Sequence, residues 1–183
     1  ASAVSIPINF EMGNTPEIVD IALAQKPEYV CLVPEIREEI TTEGGLDVVG
    51  NREALRQTVQ SLQKNGTSVS MFIDPEPEQV EASAEIGARM IELHTGAYAN
   101  ATGLEAAEEV RRLAEAARQG HGLGLQINAG HGINQANIKA LYQVPHMVEL
   151  NIGHHLVSRA LFVGLQQSIV EMRALMDGYP ESF

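Results

Sequence analysis

Short apolar segments alternate with helix-forming segments along the whole chain, and this alternation constrains the fold more than any other feature. Six apolar segments have the length and composition of buried β-strands. They cover residues 4–10, 29–33, 68–73, 90–94, 123–128 and 147–152. Because a helix-forming segment follows each of them, the sequence predicts six βα units. Such units build a parallel sheet with right-handed crossovers.

Helix starts and breaks set the expected bounds of the connecting segments. Thr15-Pro16-Glu17 is typical of a helix start, and Asn51 is a favourable cap for the next helix. Helices are expected over residues 16–26, 52–64, 76–86, 104–119, 134–142 and 155–176. Residues 37–50 and 95–103 are expected to be loops. The first is long for a βα connection, and long loops in compact domains are often functional.

Ionisable or amide side chains lie at the end of nearly every predicted strand. They are Glu11, Glu35, Asp74, Glu92, His94, Asn128, His131, Asn151 and His154. An open doubly wound sheet concentrates its site at one switch point, whereas a barrel gathers all strand ends around one mouth. The pattern therefore favours a barrel. A (β/α)8 barrel needs two more units, so we expect a smaller or open variant, or a truncated barrel.

Composition narrows the classes of partner. The net charge of −12 argues against a nucleic-acid or anionic-membrane surface, both of which need clustered Lys and Arg. It leaves phosphate ligands open, because backbone amides at a helix start can bind them. The single cysteine, Cys31, lies in an apolar run and is expected to be a core thiol. No signal peptide or membrane-spanning segment is visible, which favours the cytoplasm.

Three strand ends are candidates for a site. Gly130-His131-Gly132 holds an imidazole where glycines expose the backbone, although an ordinary βα turn has the same pattern. Glu11 could act as a general base, or be a loop acid or helix-dipole partner. Gly153-His154 begins the last helix, where amides can bind phosphate, or is a simple helix start.

The fourth predicted strand carries two polar residues on one face, Glu92 and His94. A buried carboxylate is costly unless it is paired, so Glu92 is either functional or in a salt bridge with Arg37 or Arg89. His94 is more simply a hydrogen-bonded structural residue. Asp74, before Pro75, is most simply a turn and helix cap.

A divalent metal site is a weaker alternative. Glu92, His94, His131 and His154 are suitable ligand types, but their spacing follows no metal motif. We therefore expect no metal.

Several long motifs occur in a fixed order along the chain. They are Asn9-Phe-Glu11-Met12, Leu32-Val-Pro34-Glu35 with Arg37-Glu38-Glu39, Thr41-Thr42-Glu43-Gly44-Gly45-Leu46-Asp47-Val48, Phe72-Ile-Asp74-Pro75, Ile91-Glu92-Leu-His94-Thr-Gly96 with Tyr98-Ala99, Asn128-Ala-Gly130-His131-Gly132, and Glu149-Leu-Asn151-Ile-Gly153-His154 with Ser158-Arg159-Ala160 and Phe162-Val-Gly-Leu165. Together these motifs, which span nearly the whole chain, resemble those of the pyridoxine 5'-phosphate synthase family of vitamin B6 biosynthesis.

The resemblance implies a (β/α)8 barrel that assembles into homo-octamers and uses no metal or organic cofactor. The implied reaction condenses 3-amino-2-oxopropyl phosphate with 1-deoxy-D-xylulose 5-phosphate to pyridoxine 5'-phosphate, phosphate and water. By matched position, Glu11 corresponds to a catalytic acid/base, His131 to a proton donor and Glu92 to an acid that stabilises the transition state.

The resemblance also implies contacts to both substrates. Thr41 matches a contact to the deoxyxylulose phosphate. Gly132, Gly153 and His154 match contacts to the amino-ketone phosphate.

The chain departs from the family at its start. Family members have an Asn-x-Asp-His motif and a strand with a catalytic His before the segment that matches Asn9-Phe-Glu11-Met12, and neither occurs here. We therefore expect a single barrel domain over residues 1–183 that lacks two βα units, exposes two sheet edges and is inactive unless those units come from elsewhere. The alternatives are a metal-dependent sugar-phosphate epimerase or aldolase barrel, and a non-catalytic barrel fragment.

Overall fold

The computed structural model describes residues 4–35 and 44–180. The strands are β1 (Asn9–Met12), β2 (Tyr29–Leu32), β3 (Ser68–Ile73), β4 (Met90–His94), β5 (Gln126–Gly130) and β6 (Met147–Asn151). The helices are α1 (Pro16–Gln25), α2 (Arg52–Lys64), α3 (Pro77–Glu85), α4 (Gly96–Asn100), α5 (Gly103–Gly122), α6 (His154–Val163) and α7 (Leu165–Met176), with a 3-10 helix at Ile138–Gln143.

The six strands form one parallel sheet in which each strand pairs with its neighbours in sequence. The order β1 to β6 never reverses, as it would at the switch point of a doubly wound sheet. The predicted α/β fold of the TIM-barrel class, with six βα units, is confirmed. Within the described residues β1 pairs only with β2 and β6 only with β5, so two sheet edges are open, as expected.

The core lies where the sheet is covered on both faces. Every residue of β4 is buried, as is nearly all of β3, whereas β1 and β6 at the edges are partly exposed. On the helix side, α2 buries Leu55, Val59 and Leu62, whose spacing of four and three residues places them on one face. Burial of both faces explains why apolar residues occur on both faces of a central strand, as at the adjacent Met71 and Phe72 of β3.

Two strands are shifted from their predicted bounds. The first strand begins at Asn9 rather than residue 4, because Pro7 has no backbone N–H for a ladder and Ile6 is 70% exposed. The fifth strand was predicted over residues 123–128 but covers Gln126–Gly130. Helix α5 extends to Gly122, and Gly124 makes the turn with a φ of +84°.

Three helix predictions need correction. The expected loop 95–103 contains α4, and the last predicted helix is two helices, α6 and α7, divided at Gly164 with a φ of +83°. The helix predicted over 134–142 is a 3-10 helix that starts at Ile138. The side-chain oxygen of Asn134 accepts hydrogen bonds from the amides of Ala136 and Asn137, which competes with a helix.

Helix α6 and Leu165, the first residue of α7, expose apolar side chains. Leu161 and Phe162 are 82% and 83% exposed, and Val157 and Leu165 are exposed beside them. Such a patch is typical of a surface that contacts another protein. In the two described ranges, no helix is both long and apolar enough to cross a membrane.

We expect Leu93→Ala to lower the free energy of unfolding by about 2–5 kcal/mol, because it opens a cavity in the core of β4. Leu93 is fully buried, whereas Leu104 on α5 is 91% exposed. Leu104→Ala is the matched control and should change stability by less than about 0.5 kcal/mol. Urea titration measures both values, and equal losses would contradict this account of the core.

Candidate active site

A cavity of about 580 Å³ opens at the carboxyl ends of the strands. It is lined by Glu11, Phe72, Glu92, His131, Gly132, Ile133, Asn151, Ile152, Gly153, His154 and His155. Six of the seven site residues predicted from the sequence therefore share one cavity. The seventh, Thr41, lies outside the described residues. The carboxyl ends of parallel strands are where barrel enzymes carry their sites.

The carboxyl group of Glu92 lies at the base of this cavity. Its side chain points from β4 into the sheet interior, and the residue is 6% exposed. The amide Nδ2 of Asn151 on β6 donates to Glu92 Oε2 over 2.7 Å. Burial is the largest cause that raises the pKa of Glu92 to about 7; the hydrogen bonds from Asn151 and Cys31 oppose this shift, and the charges of Glu11 and Glu149 add to it. A carboxyl group with this pKa can both give and take a proton at neutral pH.

Residues of β2 and β5 also lie close to the carboxyl group of Glu92. The Cys31 thiol on β2 lies 3.4 Å from Glu92 Oε2, and burial followed by the Glu92 charge raises the pKa of that thiol. On β5, a Cβ at Gly130 would lie 2.1 Å from Glu92 Oε1, so only glycine fits there. The predicted salt-bridge alternative is wrong for Arg89, because the described partners of Glu92 are Asn151 and Cys31; Arg37 lies outside the described residues.

His131 occupies a strained turn directly after β5. Its φ is +83°, a left-handed value that costs a non-glycine residue about 1–3 kcal/mol. Gly132 follows with a φ of +73°, and a Cβ there would lie 2.4 Å from the Cβ of Ala99. The imidazole is exposed to the cavity. Partial burial and then the nearby His94 lower the pKa of His131, and Glu11 opposes them.

A second imidazole, that of His94, lies behind His131. The two ring centroids are 5.0 Å apart in an edge-to-face arrangement. His94 Nδ1 lies 2.9 Å from Asp74 Oδ1, and the amide of Gly45 donates to Asp74 Oδ2 over 3.0 Å. The hydrogen bond with His94 is the main reason that the pKa of Asp74 is lowered. His94 is thus hydrogen-bonded as predicted, but the prediction of Asp74 as a helix cap is wrong, since α3 begins at Pro77.

The remaining predicted residues lie at the two edges of the sheet. Glu11 is exposed on β1, where its backbone is in register with Cys31. Gly153 precedes α6, and His154 is the first residue of that helix. The first amides of a ten-residue helix therefore lie at the cavity rim, where they can hold an anion.

The four side chains considered for a metal do not form a metal centre. Among the described residues, no group of three or more His, Cys, Asp or Glu side chains is placed to hold a metal ion. Glu92, His94, His131 and His154 are all among the described residues.

Sequence reasoning did not identify two residues that hold the site together. Asn151 was predicted only as a polar strand end, and its bond to Glu92 joins residues 59 positions apart. Thr95 was assigned to a loop, but it is fully buried and bonds to the turn of His131. The one sequence signal for a role of Thr95 is its position after Glu92 and His94, the polar residues of β4. The apolar periodicity does not show that Thr95 is buried.

Comparison with protein families agrees with the motifs. Residues 1–178 match the family model described as "Pyridoxal phosphate biosynthesis protein PdxJ". A protein of Akkermansia muciniphila named pyridoxine 5'-phosphate synthase is 58% identical over 96% of this chain and 72% of its own length. Proteins of the same name from a Synechococcus strain and from Opitutus terrae are 52% and 47% identical, over 92% and 96% of this chain and 71% of their own lengths.

Solved structures of low sequence identity share the fold alone. A xylose isomerase domain protein from Planctomyces limnophilus superposes with a TM-score of 0.57 at 13% identity, over 96% of this chain and 72% of that protein. The citrate synthase SbnG superposes with a TM-score of 0.57 at 11% identity, and the match covers 94% of this chain and 74% of the SbnG chain.

We expect Glu92→Gln to remove a pH dependence of stability. A pKa raised from 4.5 to about 7 means that the folded state binds the proton more tightly. Protonated Glu92 therefore contributes fully to the free energy of unfolding below pH 4.5, and this contribution is lost as the pH rises through 7. Between pH 5 and 8 the wild type should lose about 2–3 kcal/mol more than the variant, since one pKa unit corresponds to about 1.4 kcal/mol.

Urea titrations at both pH values measure this difference. Glu81→Gln, on an exposed position of α3, is the control and should follow the wild type. A stability difference between wild type and Glu92→Gln that is the same at pH 5 and pH 8 would contradict the assignment.

Proposed function

Because the chain belongs to the pyridoxal phosphate biosynthesis protein PdxJ family, we propose that it carries pyridoxine 5'-phosphate synthase activity. The reaction condenses 3-amino-2-oxopropyl phosphate with 1-deoxy-D-xylulose 5-phosphate and releases phosphate and water. The observation that best supports the proposal is the shared cavity, which brings Glu11, Glu92 and His131 together at the strand ends.

The chemistry needs several proton transfers in one pocket. The amine of one substrate condenses with the ketone of the other, water leaves, and an aldol-like addition closes the ring. Each step removes or adds a proton at carbon, nitrogen or oxygen, which positioned acids and bases accelerate. In this proposal Glu11 acts as the acid/base, His131 donates protons and Glu92 stabilises the transition state.

The electrostatics of the cavity support these roles. The pKa of Glu92, near 7, allows it to be neutral or charged as the reaction proceeds. The lowered pKa of His131 favours its neutral form at neutral pH, so His131 first takes up a proton, and its protonated form is then a stronger acid than an ordinary imidazolium. Glu11, exposed at the end of β1, is accessible to a bound substrate.

Backbone groups at the rim suit a phosphorylated substrate. We assign the phosphate of the amino ketone to Gly132, Gly153 and His154, with the first amides of α6 as donors. This arrangement does not depend on net positive charge, which the chain lacks. We retain Thr41 as a contact to the deoxyxylulose phosphate on the basis of family resemblance.

We extend the proposal to a cytoplasmic homo-octamer. The exposed apolar side chains of α6, among them Leu161 and Phe162, support assembly, which would cover them, and the number of eight subunits rests on the family resemblance.

Activity is tested with purified residues 1–183 and with a chimera. The chimera adds to residues 1–183 the two N-terminal βα units that the family resemblance implies, taken from the Akkermansia muciniphila relative. We expect formation of pyridoxine 5'-phosphate by the chimera, and little or none by residues 1–183 alone, because the described sheet has open edges at β1 and β6. Fluorescence of the product, separated by chromatography, measures turnover.

Within the chimera, Glu11→Gln should lower kcat by about 100-fold or more, the usual contribution of a general acid or base. Glu81→Gln removes an exposed carboxylate from α3 and should leave kcat unchanged. No product from the chimera, or equal activity in the two variants, would overturn the proposal. A chimera that is inactive yet folded would favour a non-catalytic role.

A further inference from the structure

The turn that holds His131 is strained, and the contacts within β5 do not explain its geometry. A histidine with a φ of +83° persists only where its surroundings hold it there. Two glycines flank it, Gly130 and Gly132, and glycines alone would leave the backbone free to relax. A neighbouring element must therefore supply the constraint.

Thr95 supplies direct contacts to this turn from the end of β4. Its amide donates to the carbonyl oxygen of Gly130 over 2.9 Å. Its hydroxyl oxygen lies 2.7 Å from the same carbonyl oxygen and 2.5 Å from that of His131. Because the hydroxyl has one proton, it donates to one of the two carbonyl groups at a time.

Thr95 is itself held rigidly. It is fully buried, and its carbonyl oxygen accepts a hydrogen bond from the amide of Ala99 as α4 begins. The residue before it, His94, packs edge-to-face on the ring of His131. The residue after it, Gly96, leaves room for both rings, since a Cβ there would lie 2.4 Å from His94 Nε2 and 3.2 Å from His131 Cδ2.

We propose that Thr95 is a positioning residue that holds His131 in its left-handed conformation and aims the imidazole into the cavity. Thr95 acts through the backbone of His131 and does not line the cavity. The catalytic consequence rests on the proposed function, whereas the effect on the conformation of His131 does not. Positional errors of about 1 Å in a reacting group can cost 100-fold in rate.

The test uses Thr95→Val, which removes the hydroxyl and keeps the shape of the side chain. Thr67→Val is the matched control, because Thr67 is also buried and its hydroxyl donates to the carbonyl oxygen of Pro27 over 2.8 Å at the opposite end of the sheet. Thr95→Ser restores the hydroxyl. If Thr95→Val does not fold, Thr95→Cys, with a much weaker donor, takes its place.

In the active chimera, Thr95→Val should lower kcat by about 10- to 100-fold with KM changed less than about threefold. Thr67→Val should lose comparable stability in urea but keep kcat within about twofold, and Thr95→Ser should recover most of the rate. A normal kcat in Thr95→Val, an equal loss in Thr67→Val, or no recovery in Thr95→Ser would overturn the proposal.

A second readout needs no turnover. In residues 1–183 the NMR signals of the His131 ring and amide should shift in Thr95→Val and stay in place in Thr67→Val. Unmoved His131 signals in Thr95→Val would refute the positioning role. An inactive wild-type chimera with the expected signal shifts would refute the proposed function and support the positioning role.

Discussion

The buried carboxyl group of Glu92 is the constraint on which the rest of the site depends. It is held by Asn151 from β6 and contacted by Cys31 from β2, so it ties the interior of the sheet together across five strands. Gly130 is required beside it because any side chain would collide with Oε1. A carboxyl group in this position is costly to ionise, and its pKa near 7 is the direct result of that cost.

The same geometry determines what surrounds the carboxyl group. Since Gly130 ends β5 next to Glu92, the chain must turn at His131, and this turn is stabilised from β4 by Thr95. The packing that desolvates Glu92 thus also places an imidazole at the cavity. His94 connects this centre to the segment before α2, through Asp74 and the amide of Gly45. The carboxyl group of Glu92, the imidazole of His131 and the first residues of α6 therefore line one cavity, which is the arrangement that the proposed condensation needs.

Much of the fold could be predicted from the sequence where local signals and tertiary packing agree. The bounds of α2 and β3 match the prediction, because Asn51 marks the start of α2 and a short segment of mainly apolar residues marks β3. Leu123 misled the prediction of β5, since this apolar residue follows a helix rather than starting a strand and is 47% exposed. The break at Gly164 and the short helix α4 have weak local signals. In the site, the polar strand ends and the family motifs identified six of the residues that line the cavity. The hydrogen bonds of Asn151 to Glu92 and of Asp74 to His94 join distant segments of the chain, so no local sequence pattern predicts them.

The most direct test of the central claim is the ionisation of Glu92 itself. Carbon-13 NMR of the glutamate side-chain carboxyl groups, assigned by comparison with Glu92→Gln, follows this group as the pH is raised. We predict a titration midpoint near 7 for Glu92. A midpoint near 4.5, the ordinary value for a glutamate, would show that the carboxyl group is solvated and would contradict the account of the site.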